Sequence, residues 1–309
     1  MKKNLVIGAA LGYNSAQLRP FVSTLRATGY TGDIVFFIAH NADEELIDFL
    51  YSFDVTPVRI QRFLNWIPKK IQIRRFSKYL RFIHKNYYHF LSWFIKDEKR
   101  FIHAVGSTSA WFLSVACSRY FYYYDYLNKH SGEYNYAMLS DVKDVVFQTD
   151  PFENIKEQKI YYAVENPAVR IKDQPGNDKW VRTLFGDSVH AELALNKISC
   201  SGTTLAYISC MIPYLEEMIK ILGLNSYKIP GLFGYDQGAH NYVVWKKLIR
   251  DFELIENGEG PVTTMYTSEY HDFIVSEDGL MLNKDGSKVS VIHQYFGHPD
   301  LNLKVLRDV

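Results

Sequence analysis

The chain has 309 residues, 47% of them hydrophobic and 22% charged, ordinary globular values that exclude collagen, coiled coil and wholesale disorder. A formal net charge of +1 argues against a nucleic-acid binder. Three cysteines, Cys117, Cys200 and Cys210, are too few for a disulfide framework and point to a reduced, cytoplasmic protein.

Residues 5–10 (Leu-Val-Ile-Gly-Ala-Ala) follow Met1-Lys2-Lys3-Asn4, an outline shared with secretory leaders. The apolar run is too short for one, and Tyr13-Asn14-Ser15 ends it, so a buried strand is expected. A helix over 15–28 follows, with Ser15 as N-cap and Gly29 near its end. Residues 33–39 predict a second buried strand, 43–53 an amphipathic helix and 55–60 a third strand. This alternation predicts an α/β fold with a mostly parallel central sheet flanked by helices. Residues 59–100 interrupt it, as an expected helical insert. A long apolar helix carrying Arg119 is predicted over 107–127, and strands over 134–140 and 159–164. Helices are predicted over 203–222 and 236–248, then short strands and turns from Phe252 onward. Lys284-Asp285-Gly286 predicts a hairpin turn between 280–282 and 289–292. No repeat, low-complexity tail or linker stands out, so one continuous domain over 1–309 is expected.

Charge is uneven. Residues 59–100 hold twelve Lys/Arg and two acids, Asp97 and Glu98, a formal charge of +10 that leaves −9 on the rest. Aromatics such as Trp66, Tyr79, Phe90, Trp93 and Phe94 are interleaved with the cations. Two readings stand: a membrane-surface helix whose cations meet anionic headgroups, or a solvated basic face with its aromatics in the core. Single-stranded nucleic acid needs similar ingredients, but the −9 elsewhere opposes it. No stretch approaches the ~20 apolar residues that span a bilayer. The nearest, 87–95 and 110–124, are short or interrupted by His89, Ser114 and Arg119.

Residues 136–152 carry the most chemistry. A buried strand runs into Asp141 and Asp144, then an apolar run, then Asp150-Pro151. Open parallel sheets bind ligands at the carboxyl ends of their strands. Two acids there suit a hard cation, Mg²⁺ or Mn²⁺, which binds a diphosphate and offsets the charge of a departing phosphate. The plain alternative is a surface turn with Asp141 paired to Lys143.

This stretch resembles the metal-binding DxD region of glycosyltransferases with the GT-A fold, where a strand ending in acids leads to an Asp-Pro. Aligned on Asp150-Pro151, Asp144 falls on the usual metal-binding acid. The first acid of the pattern falls on Val142, and the nearest carboxylate is Asp141, so the motif here is D-x-x-D. The resemblance then implies that Asp141 binds the metal through water or holds sugar or ribose hydroxyls. It implies a nucleoside loop at Ala10, Gly12 and Tyr13, with Tyr13 stacked on the base or, alternatively, packed on the sheet. It implies a donor-sugar turn at Ser201 and Gly202, ahead of a helix. Asp236 and Gln237 fall where the family carries its late Asp-Gln pair, with Asp236 a general base or sugar-orienting group; the alternative is an N-cap. A late His closes the metal site in this family: His293 is the candidate and His298 the alternate. Arg119 reaches the diphosphate or pairs with an acid. Cys200 reads as a small, inert, buried thiol.

The expectation is a single GT-A-like nucleotide-diphospho-sugar transferase fold. Residues 1–150 form the nucleotide half with the basic insert, and 151–309 the donor-sugar and acceptor half. The donor is a UDP- or GDP-sugar, the acceptor a glycan or lipid-linked hydroxyl, and the cofactor Mn²⁺ or Mg²⁺. The expected place is the cytoplasm, peripheral at the inner membrane face. A sugar nucleotidyltransferase is disfavoured because residues 9–14 carry no cation. A non-catalytic peripheral-membrane protein of similar fold is the reading from a different class. No GxxxxGK[ST], strand-linked GxGxxG, GxSxG or CxxC motif occurs, which sets aside P-loop, nicotinamide, serine-hydrolase and zinc-ribbon chemistry.

Overall fold

The computed structural model describes residues 2–61, 86–111, 113–229, 234–298 and 301–307. Most of the basic insert, 62–85, lies outside the described residues, and so do the helices expected there.

The first half follows the expected alternation. Strand β1 (Lys3–Ala9), helix α1 (Ser15–Ala27), β2 (Asp33–Ala39), α2 (Glu44–Ser52) and β3 (Val55–Ile60) come in order. The N-cap of α1 is Asn14, one residue before the expected Ser15; its side chain takes the Gln17 N–H and the Gln17 side chain returns the bond. Residues 86–94 are helical, and α3 (Glu98–Ser109) and α4 (Val115–His130) follow. The single helix expected over 107–127 is therefore two. Ser107, Thr108 and Ser109 turn their hydroxyls back onto carbonyls of the last turn of α3. Gly106 leaves room for the Phe121 ring, so α3 and α4 pack against each other. An apolar run that reads as one helix is a packed pair.

Next come β4 (Tyr134–Ser140), β5 (Val145–Phe147) and β6 (Ile160–Val164). Helix α5 (Pro175–Leu193) was not anticipated: its polar start and Gly186, at φ 82°, hide the period. The helix expected over 203–222 is corrected: β7 spans Ser199–Tyr207, and α6 (Ile208–Leu224) begins only after it. All of β7 except Tyr207 is buried, between β4 and β6. Its small polar side chains mask a central strand. Helix α7 (Tyr235–Trp245) precedes β8 (Phe252–Ile255), β9 (Val262–Thr264), β10 (Ile274–Val275), β11 (Met281–Leu282), β12 (Val291–His293) and α8 (Lys304–Arg307). The turn at 284–286 forms, with one bridge from Leu282 to Lys288. Beyond it the expected hairpin opens, because β12 leaves to pair with β5 and β9.

The main sheet has the order β3-β2-β1-β4-β7-β6-β8, parallel except for β7, which opposes both neighbours. It is a mixed α/β fold with helices on both faces. Leu5 and Ile7 face the layer of α3, α4, α6 and α7, while Val6 faces the layer of α1 and α2. The chain leaves β1 toward β2 on one side and returns to β4 on the other. That reversal of strand order, at the carboxyl ends of β1 and β4, is where open α/β sheets leave a crevice for ligands. Among the described residues no helix is long and apolar enough to cross a membrane.

Candidate metal centre

Three side chains converge at that crevice. Asp141 and Asp144 follow β4, and His293 ends β12. Their ligand atoms lie within 4.8 Å of one another. Backbone pairing sets this up: the Asp141 N–H donates to the Gly202 carbonyl at 2.7 Å, and the Gln294 N–H to the Asp144 carbonyl at 2.7 Å. His293 is fully buried, and its Nε2 lies 3.5 Å from Asp141 Oδ2 and 3.9 Å from Asp144 Oδ1. That nitrogen has no hydrogen-bond partner among the described residues. Its other ring nitrogen meets Cys200 Sγ at 3.5 Å. A buried imidazole nitrogen aimed between two carboxylates, without a bond to either, fits a cation. One nitrogen and two carboxylates suit Mn²⁺ or Mg²⁺. His298 is not part of the group: its Nε2 contacts the Met265 carbonyl at 3.1 Å.

Electrostatics agree with the geometry. Burial alone would raise the Asp141 carboxyl, but Arg119 and His293 outweigh it and hold it well below the usual range. Burial and the Asp141 charge push Asp144 up against the pull of His293. Burial would lower His293, yet the Cys200 sulfur and the two carboxylates hold it well above an ordinary histidine. Burial pushes the Cys200 thiol up, which keeps it inert.

Gly202 is the floor of the centre. A Cβ there would lie 2.6 Å from Asp141 Oδ2 and 2.8 Å from His293 Nε2, against the imidazole edge. Gly202→Ala is therefore expected to abolish a Mn²⁺-induced thermal shift and to cost about 1–3 kcal/mol from overpacking. Melting curves with and without Mn²⁺ test both. Ser201 and Gly202 were expected in a turn ahead of a helix. They sit inside β7 instead, and it is the Ser201 carbonyl that meets the site, accepting from Arg119 Nη2 at 3.2 Å.

Arg119, on α4, is buried and pairs with Asp141 through Nη1 and with Asp236 through Nη2 at 3.1 Å. Asp236 lies in the first turn of α7 but does not cap it; Gly234 holds that position. Asp236 Oδ2 also accepts from Ser201 Oγ at 3.2 Å. Gln237 points elsewhere: its amide donates to Glu165 Oε1 at 2.9 Å and to Asn177 Oδ1 at 3.3 Å.

Glu165 and Asn177 escaped the sequence reading. Glu165 follows β6 as Asp141 follows β4, and that placement was the available signal. It is 1% exposed, and its Oε2 has no hydrogen-bond partner among the described residues. Burial pushes its carboxyl up to about 7, against the Gln237 hydrogen bond and the His293 charge. The folded state thus prefers the protonated acid. This contribution to stability is complete below about 4.5 and is lost as pH rises toward 7. Glu165→Gln is expected to gain stability over the wild type across that window, on the order of 2–3 kcal/mol. Urea unfolding of both proteins at about pH 5 and about pH 8 measures it.

Of two cavities, the larger reaches the centre at Asp144. One, of about 290 Å³, is lined by Ala10, Gly12, Tyr13, Asn41, Asp43 and Leu46. The other, of about 550 Å³, runs from Asp144 past Met265, Thr267 and Gln294 to His298. Tyr13 is half-buried, and burial together with the Asp141 and Asp144 charges pushes its hydroxyl up. Comparison of the sequence with protein-family models and with curated proteins finds no match.

Proposed function

We propose that the chain is a divalent-metal-dependent glycosyltransferase of GT-A-like type. It moves a sugar from a UDP- or GDP-sugar to an acceptor hydroxyl. The observation that carries this reading is the Asp141–Asp144–His293 centre, with its unpartnered buried nitrogen, at the crevice between the loops of β1 and β4. Asp141, Asp144 and His293 hold the cation. When bound, Mn²⁺ or Mg²⁺ supplies Lewis-acid stabilisation of the diphosphate leaving group.

The remaining roles follow from what each side chain touches. Ala10, Gly12 and Tyr13 form the wall of the smaller cavity and receive the nucleoside. Arg119 brings a fixed cation to the edge of the metal centre, held from two sides by Asp141 and Asp236. Asp236 Oδ2 is already shared by Arg119 and Ser201, so Asp236 orients rather than abstracts a proton. Glu165 Oε2 and Arg119 Nε, both buried and unpartnered among the described residues, are left for donor-sugar hydroxyls. Gln237 fixes Glu165.

A thermal-shift screen against UDP, GDP, CDP and their sugars, each with Mn²⁺ and with chelator, tests the reading. A shift for one nucleotide that needs Mn²⁺ is expected. No Mn²⁺-dependent shift with any donor overturns it.

A further inference from the structure

The metal centre leaves one feature of the sequence unused, the aromatic residues at the end of the basic insert. The helix over 86–94 is two-faced. Tyr88 is buried in the main core, and Tyr87 and Leu91 pack against it. Phe90, Trp93 and Phe94, spaced as one helical stripe, are 56%, 73% and 68% exposed. Trp93 and Phe94 are the two most exposed large apolar side chains among the described residues. The Phe90 and Phe94 rings contact each other, centroids 4.6 Å apart, and Trp93 lies beside them on the helix.

The charge beside this stripe is net positive. Lys96, Lys99 and Arg100 are exposed immediately after the helix. The two acids among them are engaged: Asp97 accepts the Arg100 N–H as an N-cap, and Glu98 pairs with Lys220 at 2.7 Å. The preceding residues 62–85 carry eight Lys/Arg and no acid in the sequence. Exposed Trp and Phe beside cations, with no helix among the described residues long and apolar enough to span, are the ingredients of attachment in the plane of an interface.

We propose that the Phe90–Trp93–Phe94 face, with Lys96, Lys99 and Arg100, docks on an anionic lipid bilayer. Charge complementarity and the ring stripe together select that occupant. A second copy across a two-fold axis would set the basic patch against itself. A nucleic acid would meet the same cations; the exposed ring stripe opposite the buried face of one helix is the amphipathic arrangement an interface takes, and it favours the bilayer. The proposal does not depend on the transferase reading, since neither the rings nor these cations touch the metal centre.

Vesicle flotation of the full chain tests it, with phosphatidylcholine vesicles and with equimolar phosphatidylcholine and phosphatidylglycerol. Binding to the anionic vesicles is expected, weakening as salt is raised. The double substitution Trp93→Ser with Phe94→Ser is expected to lower that binding at least ~10-fold without moving the thermal midpoint. Lys96→Gln and Lys99→Gln should each lower it roughly fivefold on anionic vesicles and leave neutral vesicles unaffected. Equal flotation of the wild type and the ring variant overturns the proposal, as does absence of flotation. A dimer that the ring variant dissolves, without flotation, overturns it in favour of a second copy. Preference for a single-stranded oligonucleotide over anionic vesicles overturns it in favour of nucleic acid.

Discussion

Asp144→Asn is expected to abolish the Mn²⁺-dependent thermal shift while leaving the metal-free midpoint unchanged or higher. The two effects have opposite signs for one physical reason. Asp144 is half-buried beside Asp141, and both burial and that neighbour disfavour its charge. An isosteric amide removes the repulsion and the desolvation together, which relieves the fold. The same change deletes one of two anionic ligands, and a carboxamide oxygen is a far weaker partner for a hard cation. A residue that served only the fold would lower the midpoint and leave any metal response intact. Sugar transfer should fall about a thousandfold, since a bound cation contributes several kcal/mol to stabilising transition-state charge. His293 adds a pH signature. Its affinity for a proton is raised beside Cys200, Asp141 and Asp144, so a proton competes with a cation there. The Mn²⁺ shift of the wild type therefore grows as pH rises. Asp150 is the control acid. Its Oδ1 accepts the Phe152 N–H at 2.8 Å and it is not one of the three converging groups, so Asp150→Ala should weaken the turn but keep the metal response.

The parts of the fold that could be read in advance are those where burial and composition agree. β1 and β2 are continuous apolar runs because both of their faces are covered, and α2 keeps a clean apolar stripe under a polar face. β7 is just as buried, but four of its inward groups are hydroxyls. Ser199 Oγ bonds the Ala163 carbonyl and His240, and Ser201 Oγ bonds Asp236. A strand that buries small hydroxyl side chains lacks the apolar signal that identifies a strand. The acids after β4 were legible as strand-end carboxylates, and His293 as the residue after an apolar run. Arg119 was not decidable, because its partner Asp236 lies 117 residues away and only the sheet brings the two together. Glu165 was open to the logic that found Asp141, yet it stands alone in the sequence, and its meaning comes from Gln237 and Asn177 on distant helices.

Arg119→Met is expected to be the most destabilising single change at this site. The guanidinium is 7% exposed and holds Asp141 and Asp236 together, with the Ser201 carbonyl as a third acceptor. Removing it leaves two carboxylates facing each other in a partly dry site. Breaking a buried pair by deleting one partner costs about 3–5 kcal/mol, which lowers the midpoint by roughly 5–10 °C in a chain of this size. Arg119→Lys should not rescue it, because one ammonium cannot span the acceptors that the planar fork reaches at once. Adding Asp236→Asn to Arg119→Met should restore part of the loss, since the amide removes the orphaned charge. A double-mutant cycle reads this as coupling of about 1–3 kcal/mol. The ligand responses then separate structure from function. Asp141, Asp144 and His293 keep their ligand atoms in Arg119→Met, and Asp141 loses a competing cation, so Mn²⁺ should stabilise the variant at least as much as the wild type. The additional shift from a nucleotide sugar should shrink, because the fixed cation beside the diphosphate is gone. Loss of the Mn²⁺ response itself would mean that Arg119 shapes the centre rather than the donor.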